Sequence, residues 1–323
     1  MDIDALRLNF SPESLYALNW VIGIIMFGVA LDIHWRDFKE VFKQPRAPLI
    51  GLACQFVLLP AIACGLTMLL HLVMPLAPGI ALGVILVAAC PGGNFSNFLT
   101  HFSRGNTALS VTMSSISTLA SIVMTPFNIG FWGRVNPQTA PLLKSIEIDP
   151  WSVLLTVFSI LLMPLALGML FRHFKPLWSD RLKKPFQSMS LVFLILIITL
   201  ALKNNFTYFV QYIGLAATVV FIVNAVALAL GYGMSRLTRL NQADSQAVAF
   251  EVGIQNAGFG LILIFNFFEG LGGMALITAW WGVWHLISGL ALAIWWRKKS
   301  QFCSDSVLTA YFYNKLNLPV IPI

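Results

Sequence analysis

Nine stretches of the chain are apolar for long enough to cross a bilayer as helices, which takes about 20 residues each. They are 15–33, 47–72, 77–102, 107–131, 150–171, 185–202, 209–234, 241–268 and 274–296. Apolar residues run through them continuously rather than alternating, and each is far longer than a barrel strand of about 10 residues. The pattern therefore predicts an all-α integral membrane protein with nine transmembrane helices. An N-terminal segment, 1–14, precedes the first span, a loop at 132–149 separates the fourth from the fifth, and a tail at 297–323 follows the ninth. That tail reads as a short solvated or surface segment.

Two spans are poorly made as plain membrane helices. The third runs through GVILVAA into CPGGNFSN, residues 90–97, where Pro91 removes a backbone donor and Gly92 and Gly93 weaken the helix further. A break is expected there. The eighth carries EVGIQNAGFG, residues 251–260, with a carboxylate, two amides and three glycines. Glu251 lies ten residues into that span, about 15 Å along it, near the middle of a hydrocarbon core about 30 Å thick. Irregular backbone at such depth is tolerated only where protein buries it or a watery cavity meets it. One broken helix in each half of a chain is a pointer to a transporter binding site. Four spans lie between the two, so they run in opposite directions, as an inverted-topology repeat requires. The first repeat is then 15–131, four helices, and the second 150–296, five.

Composition agrees with this reading and sets the orientation. Of the residues, 58% are hydrophobic and 10% charged, and 20 Lys and Arg against 13 Asp and Glu leave a net charge of +7. In a soluble protein that excess suggests nucleic acid; in a membrane protein it marks cytoplasmic loops, and no nucleic-acid partner is expected. Placing the loops after spans one, three, five and seven and the tail in the cytoplasm puts 16 of the 20 basic residues there. The N-terminus is thus expected outside and the C-terminus inside a plasma membrane, the inner one in a bacterium. The first dozen residues contain Asp2, Asp4, Arg7 and Pro12 and do not read as a cleavable signal peptide. Of Cys54, Cys64, Cys90 and Cys303, three fall within apolar stretches, so neither a disulfide framework nor a zinc site is expected.

Glu251 is the one acidic residue at the centre of a span, since Asp32 falls at the end of the first. A central ionisable group is expensive and usually functional; the plain alternative is a protonated carboxyl hydrogen-bonded inside the bundle. Ser110, Ser114, Ser117, Thr118, Ser121 and Thr125 share one face of the fourth span. As a stripe they read as a close-packing seam of small residues, although Ser110 and Ser114 follow the first break closely enough to turn towards it. Gln55, a lone amide among apolar neighbours, reads as a helix–helix hydrogen bond. His285, beside three tryptophans, is a proton carrier, a solute contact or an interface residue. Carboxylate, hydroxyl and amide oxygens suit a hard alkali cation. Two monovalent cations at one carboxylate leave a charge of +1, which a monoanionic solute would neutralise.

The stretches GVILVAACPGGNFSNFLTHFSRGNTALSVTMSSISTLAS, EVGIQNAGFG, WVIGIIMFGVALDI and VWHLISG resemble the bile acid/sodium symporter family. The resemblance implies a panel domain, a core domain with the two broken helices crossing at the midplane, and sodium as coupling ion with no further cofactor. Carried over residue by residue, one sodium position would use Ser96, Asn97, Ser110, Ser114 and Glu251. The other would use Gln55, Glu251 and Gln255 with the carbonyls of Val252 and Ile254. Asn94, Asn256 and His285 would meet the solute. Asn94 and Ser114 stand where bacterial relatives often have Thr, and Leu286 where they have Asn. The expected function is sodium-coupled symport of an organic anion, bile-acid-like or a small carboxylate, by alternating access. A proton-coupled carrier is the alternative. An intramembrane transferase is a weaker one, because it needs clustered Asp, Glu or His near a membrane face, and none is present in the sequence.

Overall fold

The computed structural model describes residues 3–5, 12–31, 33, 43–93, 95–145, 155, 158–186, 188–189, 192 and 206–315. Ten helices organise them: α1 Pro12–Ala30, α2 Arg46–Val73, α3 Pro78–Ala89, α4 Phe95–Phe102, α5 Thr107–Val135, α6 Met163–Phe174, α7 Phe206–Leu237, α8 Gln242–Gly253, α9 Ala257–Phe267 and α10 Gly272–Lys315. Short helices at Ala140–Ser145 and 176–186 complete the set. Among the described residues there is no strand, and four helical stretches are long and apolar enough to span a membrane: Arg46–Val73, Thr107–Val135, Tyr212–Leu237 and Gly272–Lys299.

Both expected breaks are present. The third predicted span divides into α3 and α4, with Cys90 and Pro91 leaving helical geometry. The eighth divides into α8 and α9 around Ile254, Gln255 and Asn256. The sixth, 185–202, falls almost wholly outside the described residues, as does the first part of the fifth. Two stretches expected outside the spans contain helix. The loop expected at 132–149 is partly helical, because α5 runs on to Val135 and is followed by Ala140–Ser145. The tail expected as a surface segment continues α10 as helix to Lys315. Between Gly289 and Pro319 the sequence has neither glycine nor proline to stop a helix.

Broken and unbroken helices occupy different places. In α3 the residues from Gly79 to Ala89 are all buried, and in α8 those from Ser245 to Gly253 are too. A helix buried all round belongs inside a bundle. The long helices instead expose large apolar side chains on their outer faces, such as Leu72 and Leu69 in α2, Val123 and Phe127 in α5, Phe221 in α7 and Trp295 in α10. They carry the lipid-facing surface, and the broken helices sit behind them: α3 against α10, α5 and α2, and α8 against α7 and α4.

Glycines allow the closest approaches. A Cβ at Gly83 of α3 would lie 2.8 Å from Met274 Cα in α10, and one at Gly231 of α7 would lie 2.8 Å from the Val248 carbonyl oxygen in α8. At one end of the bundle, the Asn106 side chain caps α5 by accepting from Leu109 N at 3.1 Å and donates to Asp244 at 2.7 Å. Its own backbone N–H donates to the Ala243 carbonyl at 3.0 Å, so the α4–α5 turn is tied to the start of α8. Replacing Gly83 by Val should separate α3 from α10 and destabilise the detergent-solubilised protein by about 1–3 kcal/mol, the usual range for overpacking. Gly65→Ala, at a position with nothing within 4 Å of the added carbon, should leave the melting temperature unchanged or slightly higher in the same thermal melt.

A candidate ion and solute site at the helix breaks

The two breaks lie against each other and pair through their backbones. Gly92 and Gln255 form an antiparallel bridge. Gly93 N donates to the Ile254 carbonyl at 2.6 Å, and Asn256 N to the Pro91 carbonyl at 2.9 Å. Each interruption thus satisfies polar groups that the other has freed, as buried backbone requires. Neighbouring helices supply the rest. Thr125 of α5 donates to the Ala89 carbonyl at 2.6 Å, Gln55 of α2 to the Cys90 carbonyl at 2.5 Å, and Asn224 of α7 to the Gly253 carbonyl at 2.8 Å. Asn224 is itself held by Ser288 of α10 at 2.6 Å.

Glu251, in the last turn of α8, is 1% exposed. Its Oε2 accepts from Ser114 at 2.6 Å and from Ser96 at 3.0 Å, and its Oε1 accepts from Ser117 at 2.8 Å. Asn97 Oδ1 accepts from Ser110 at 2.7 Å and from Ser114 at 3.2 Å. Ser96, Asn97, Ser110, Ser114 and Glu251 therefore form one oxygen-rich cluster, buried except at the half-buried Asn97 and contributed by α4, α5 and α8. The carboxylate comes this close because Gly92 has no side chain: a Cβ there would collide with its oxygens, Oε1 first.

Beside this cluster, Gln55 Nε2 donates to Gln255 Oε1 at 2.8 Å, and Gln255 Nε2 donates to the Val252 carbonyl at 2.6 Å. Gln55 lies in a π-helical turn, Cys54–Leu58, within α2. Five residues on, Pro60 cannot donate to the Phe56 carbonyl; Asn128 of α5 does so instead at 3.0 Å. Widened turns of this kind often occur at functional positions. The structure thus gathers Gln55, Gln255, Val252 and Ile254 around the second break, the Ile254 carbonyl being engaged by Gly93.

Asn256 caps α9 by accepting from Phe259 N at 3.0 Å. It also lines a narrow cleft bounded by Met26, Pro91, Thr118, Ser121, Ile122, Leu165 and Phe259. His285 is buried on α10, and its Nδ1 has no hydrogen-bond partner among the described residues. Asn94 lies outside the described residues.

The serine stripe of α5 is more than the packing seam expected for it. Ser110, Ser114 and Ser117 face the cluster, Thr125 caps a helix end, and Thr118 and Ser121 border the cleft. Ser117 and Asn224 are the polar residues at the breaks that sequence reasoning missed. Ser117 had a signal in its spacing of three from Ser114; Asn224 had only its place as a lone amide in an apolar span. Gln55, read as a helix–helix hydrogen bond, does form one. Removing either glutamine should leave the other's amide and the Cys90 or Val252 carbonyl short of partners. In a double-mutant cycle on thermal stability, Gln55→Leu and Gln255→Leu should therefore be coupled by about 0.5–3 kcal/mol, and strict additivity would mean that the pair is not the contact that holds them.

Comparison with known proteins gives this geometry its setting. Residues 20–231 match the profile of the Sodium Bile acid symporter family. The chain is 33% identical over 299 residues to the sodium-dependent transporter YocS of Bacillus subtilis, covering 90% of this chain and 88% of that one. It is 30% identical over 288 residues to the probable chloroplastic sodium/metabolite cotransporter BASS1 of Arabidopsis thaliana, covering 87% and 68%. It is 25% identical over 243 residues to the human ileal sodium/bile acid cotransporter, covering 74% and 66%. These relatives are transporters, which disposes of the intramembrane transferase. The chain, multi-pass and almost wholly helical, belongs to the Sodium Bile acid symporter family of sodium-dependent transporters.

Proposed function

We propose that the chain couples sodium to the uptake of an organic monoanion by alternating access, with Glu251 shared between two cation positions. The observation that carries this reading is the buried carboxylate at a double helix break, surrounded by hydroxyl and amide oxygens. One position consists of Ser96, Asn97, Ser110, Ser114 and Glu251. The other consists of Gln55, Glu251 and Gln255 with the carbonyls of Val252 and Ile254. Every ligand is a hard oxygen, the donor type that alkali cations prefer. All three relatives described above carry sodium in their names.

The solute belongs, on this reading, at the cleft beside Asn256. The α9 N-terminus there favours negative charge, and Thr118 and Ser121 add hydroxyls beside the apolar side chains of Met26, Ile122, Leu165 and Phe259. A bile-acid-like solute and a small keto- or hydroxy-acid are both admissible on this reading. Asn94 and His285 are assigned to the same solute. A proton-coupled carrier would use Glu251 by protonation instead, and would be indifferent to replacement of sodium by choline.

Thermal-shift titrations of purified protein with carboxylates and their neutral amides, in sodium and in choline, test the proposal. The acids should stabilise the protein more than the amides, and more in sodium. Equal shifts from acid and amide would remove the anion, and equal shifts in sodium and choline the coupling. Glu251→Gln should keep the fold while abolishing the sodium-dependent shift and sodium-driven uptake; retention of wild-type sodium dependence would move the cation positions elsewhere.

The topology belongs to the same proposal: nine spans, N-terminus outside and C-terminus in the cytoplasm, on the distribution of 16 of 20 basic residues. On intact cells a membrane-impermeant thiol reagent should reach a cysteine placed at 135–144 and miss one placed at 172–184. The opposite pattern would invert the orientation.

A further inference from the structure

Ser117 is the buried hydroxyl at Glu251 that has no role in the ligand sets above, and its geometry separates it from the other serines. Ser96 and Ser114 both donate to Oε2, whereas Ser117 donates to Oε1 at 2.8 Å. The two carboxylate oxygens face different surroundings. A Cβ on Gly92 would strike Oε1 first, and Gly92 is bridged to Gln255, whose side chain pairs with Gln55. Oε1 is the oxygen nearer Gly92, and hence nearer the backbone bridge to Gln255, whereas Oε2 is the oxygen bonded to Ser96 and Ser114. Among the described residues, the completely buried Ser117 is the hydroxyl that donates to Oε1.

Its hydrogen has a second acceptor within reach. Ser117 Oγ lies 3.1 Å from the Ser114 carbonyl oxygen, one turn back on α5. A hydroxyl that donates to a carboxylate turns its hydrogen, not its lone pairs, towards the charge that a cation will meet. A rotation that moves the hydrogen onto the Ser114 carbonyl, sharing it with the Thr118 hydroxyl at 2.7 Å, frees a lone pair beside Oε1 while keeping an acceptor for the buried donor, whose loss would be costly. The second position otherwise lacks a hydroxyl. Its carbonyl and amide oxygens are already engaged: Val252 by Gln255, Ile254 by Gly93, Gln255 Oε1 by Gln55 and Gln55 Oε1 by Gln255.

We propose that Ser117 is a ligand of the second cation position: its hydroxyl neutralises Oε1 when the position is empty and turns to coordinate sodium when it is filled. This inference rests on the reading of Glu251 as the ligand of two cations. The structural alternative is a hydroxyl that only fills space between α5 and α8.

The test compares Ser117→Ala, Ser117→Thr and Ser110→Ala in proteoliposomes and in sodium titrations of purified protein followed by thermal shift without solute. In the wild type, uptake should rise with sodium with a Hill coefficient near two; a coefficient near one, or no sodium dependence, would remove the two-cation reading itself before any variant is considered. Given the former, Ser117→Ala should raise the half-saturating sodium concentration by about 10-fold or more, the size expected for one interaction with a charged group. It should also bring the Hill coefficient towards one, while Ser117→Thr, which keeps the hydroxyl, stays close to wild type. Ser110→Ala should weaken sodium binding through the first position without distinguishing alanine from threonine at 117. If Ser117→Ala lowers the melting temperature or the amount of active protein but leaves the sodium titration and its Hill coefficient unchanged, the residue is structural and the inference fails. If Ser117→Thr is as impaired in sodium binding as Ser117→Ala, the hydroxyl is not the ligand and it fails equally.

Discussion

Burying the Glu251 carboxylate is the constraint on which the rest of the site depends. A carboxylate far from water needs opposite charge or several donors, and Glu251 finds hydroxyls on two helices: Ser96 on α4, Ser114 and Ser117 on α5. Those helices approach because the chain between α3 and α4 abandons helical geometry and presents Gly92 to the carboxylate. Breaking a helix frees carbonyls and amides that must themselves be paired. The second break meets this need, since Pro91 and Gly93 exchange hydrogen bonds with Asn256 and Ile254. One charge thus accounts for two broken helices, a glycine and a face of serines, and none of these makes sense singly.

The arrangement also explains how helices are distributed. Broken segments cannot face lipid, so the unbroken α2, α5, α7 and α10 surround them, each exposing large apolar side chains outwards and lending a polar one inwards. Gln55, Thr125 and Asn224 each bind a carbonyl at the end of a helix fragment, those of Cys90, Ala89 and Gly253. They act as caps supplied from neighbouring helices, the role a terminal Ser or Asn plays in water-soluble helices.

Much of this was legible in the sequence, and the reasons are physical. Pro91 with Gly92 and Gly93, and a carboxylate among glycines at 251–260, have no comfortable place in a lipid-facing helix, so the breaks were found to within a few residues. The clustering of Ser96, Asn97, Ser110 and Ser114 about Glu251 agrees with the resemblance to the family. The role of the whole α5 stripe was not legible, because small residues at helical spacing describe a packing seam and a ligand face equally well; only the positions of the carboxylate oxygens separate Ser117 from its neighbours. Asn224 was hidden for a similar reason, as one amide in an apolar helix does not say which carbonyl it meets. The helical tail to Lys315 escaped because polarity was taken to mark the end of the helix, and loss of apolar pattern does not by itself stop one.

The pairing of the breaks has a consequence for coupling between cation and solute. Asn256 caps α9 and borders the cleft, and its backbone N–H is held by the Pro91 carbonyl. Pro91 adjoins Gly92, which lies against Oε1 of Glu251. A displacement of the carboxylate by fractions of an ångström therefore reaches the α9 N-terminus through two residues of backbone and one hydrogen bond. On the proposed reading, cation and solute positions would be linked closely enough to need no long pathway between them: sodium that fixed the carboxylate would also fix the donors that an anion meets. Linkage then requires the converse, that an anion held at Asn256 tighten the cation positions by the same factor. On this argument the double break is the coupling element itself, and the surrounding helices hold its two halves in register.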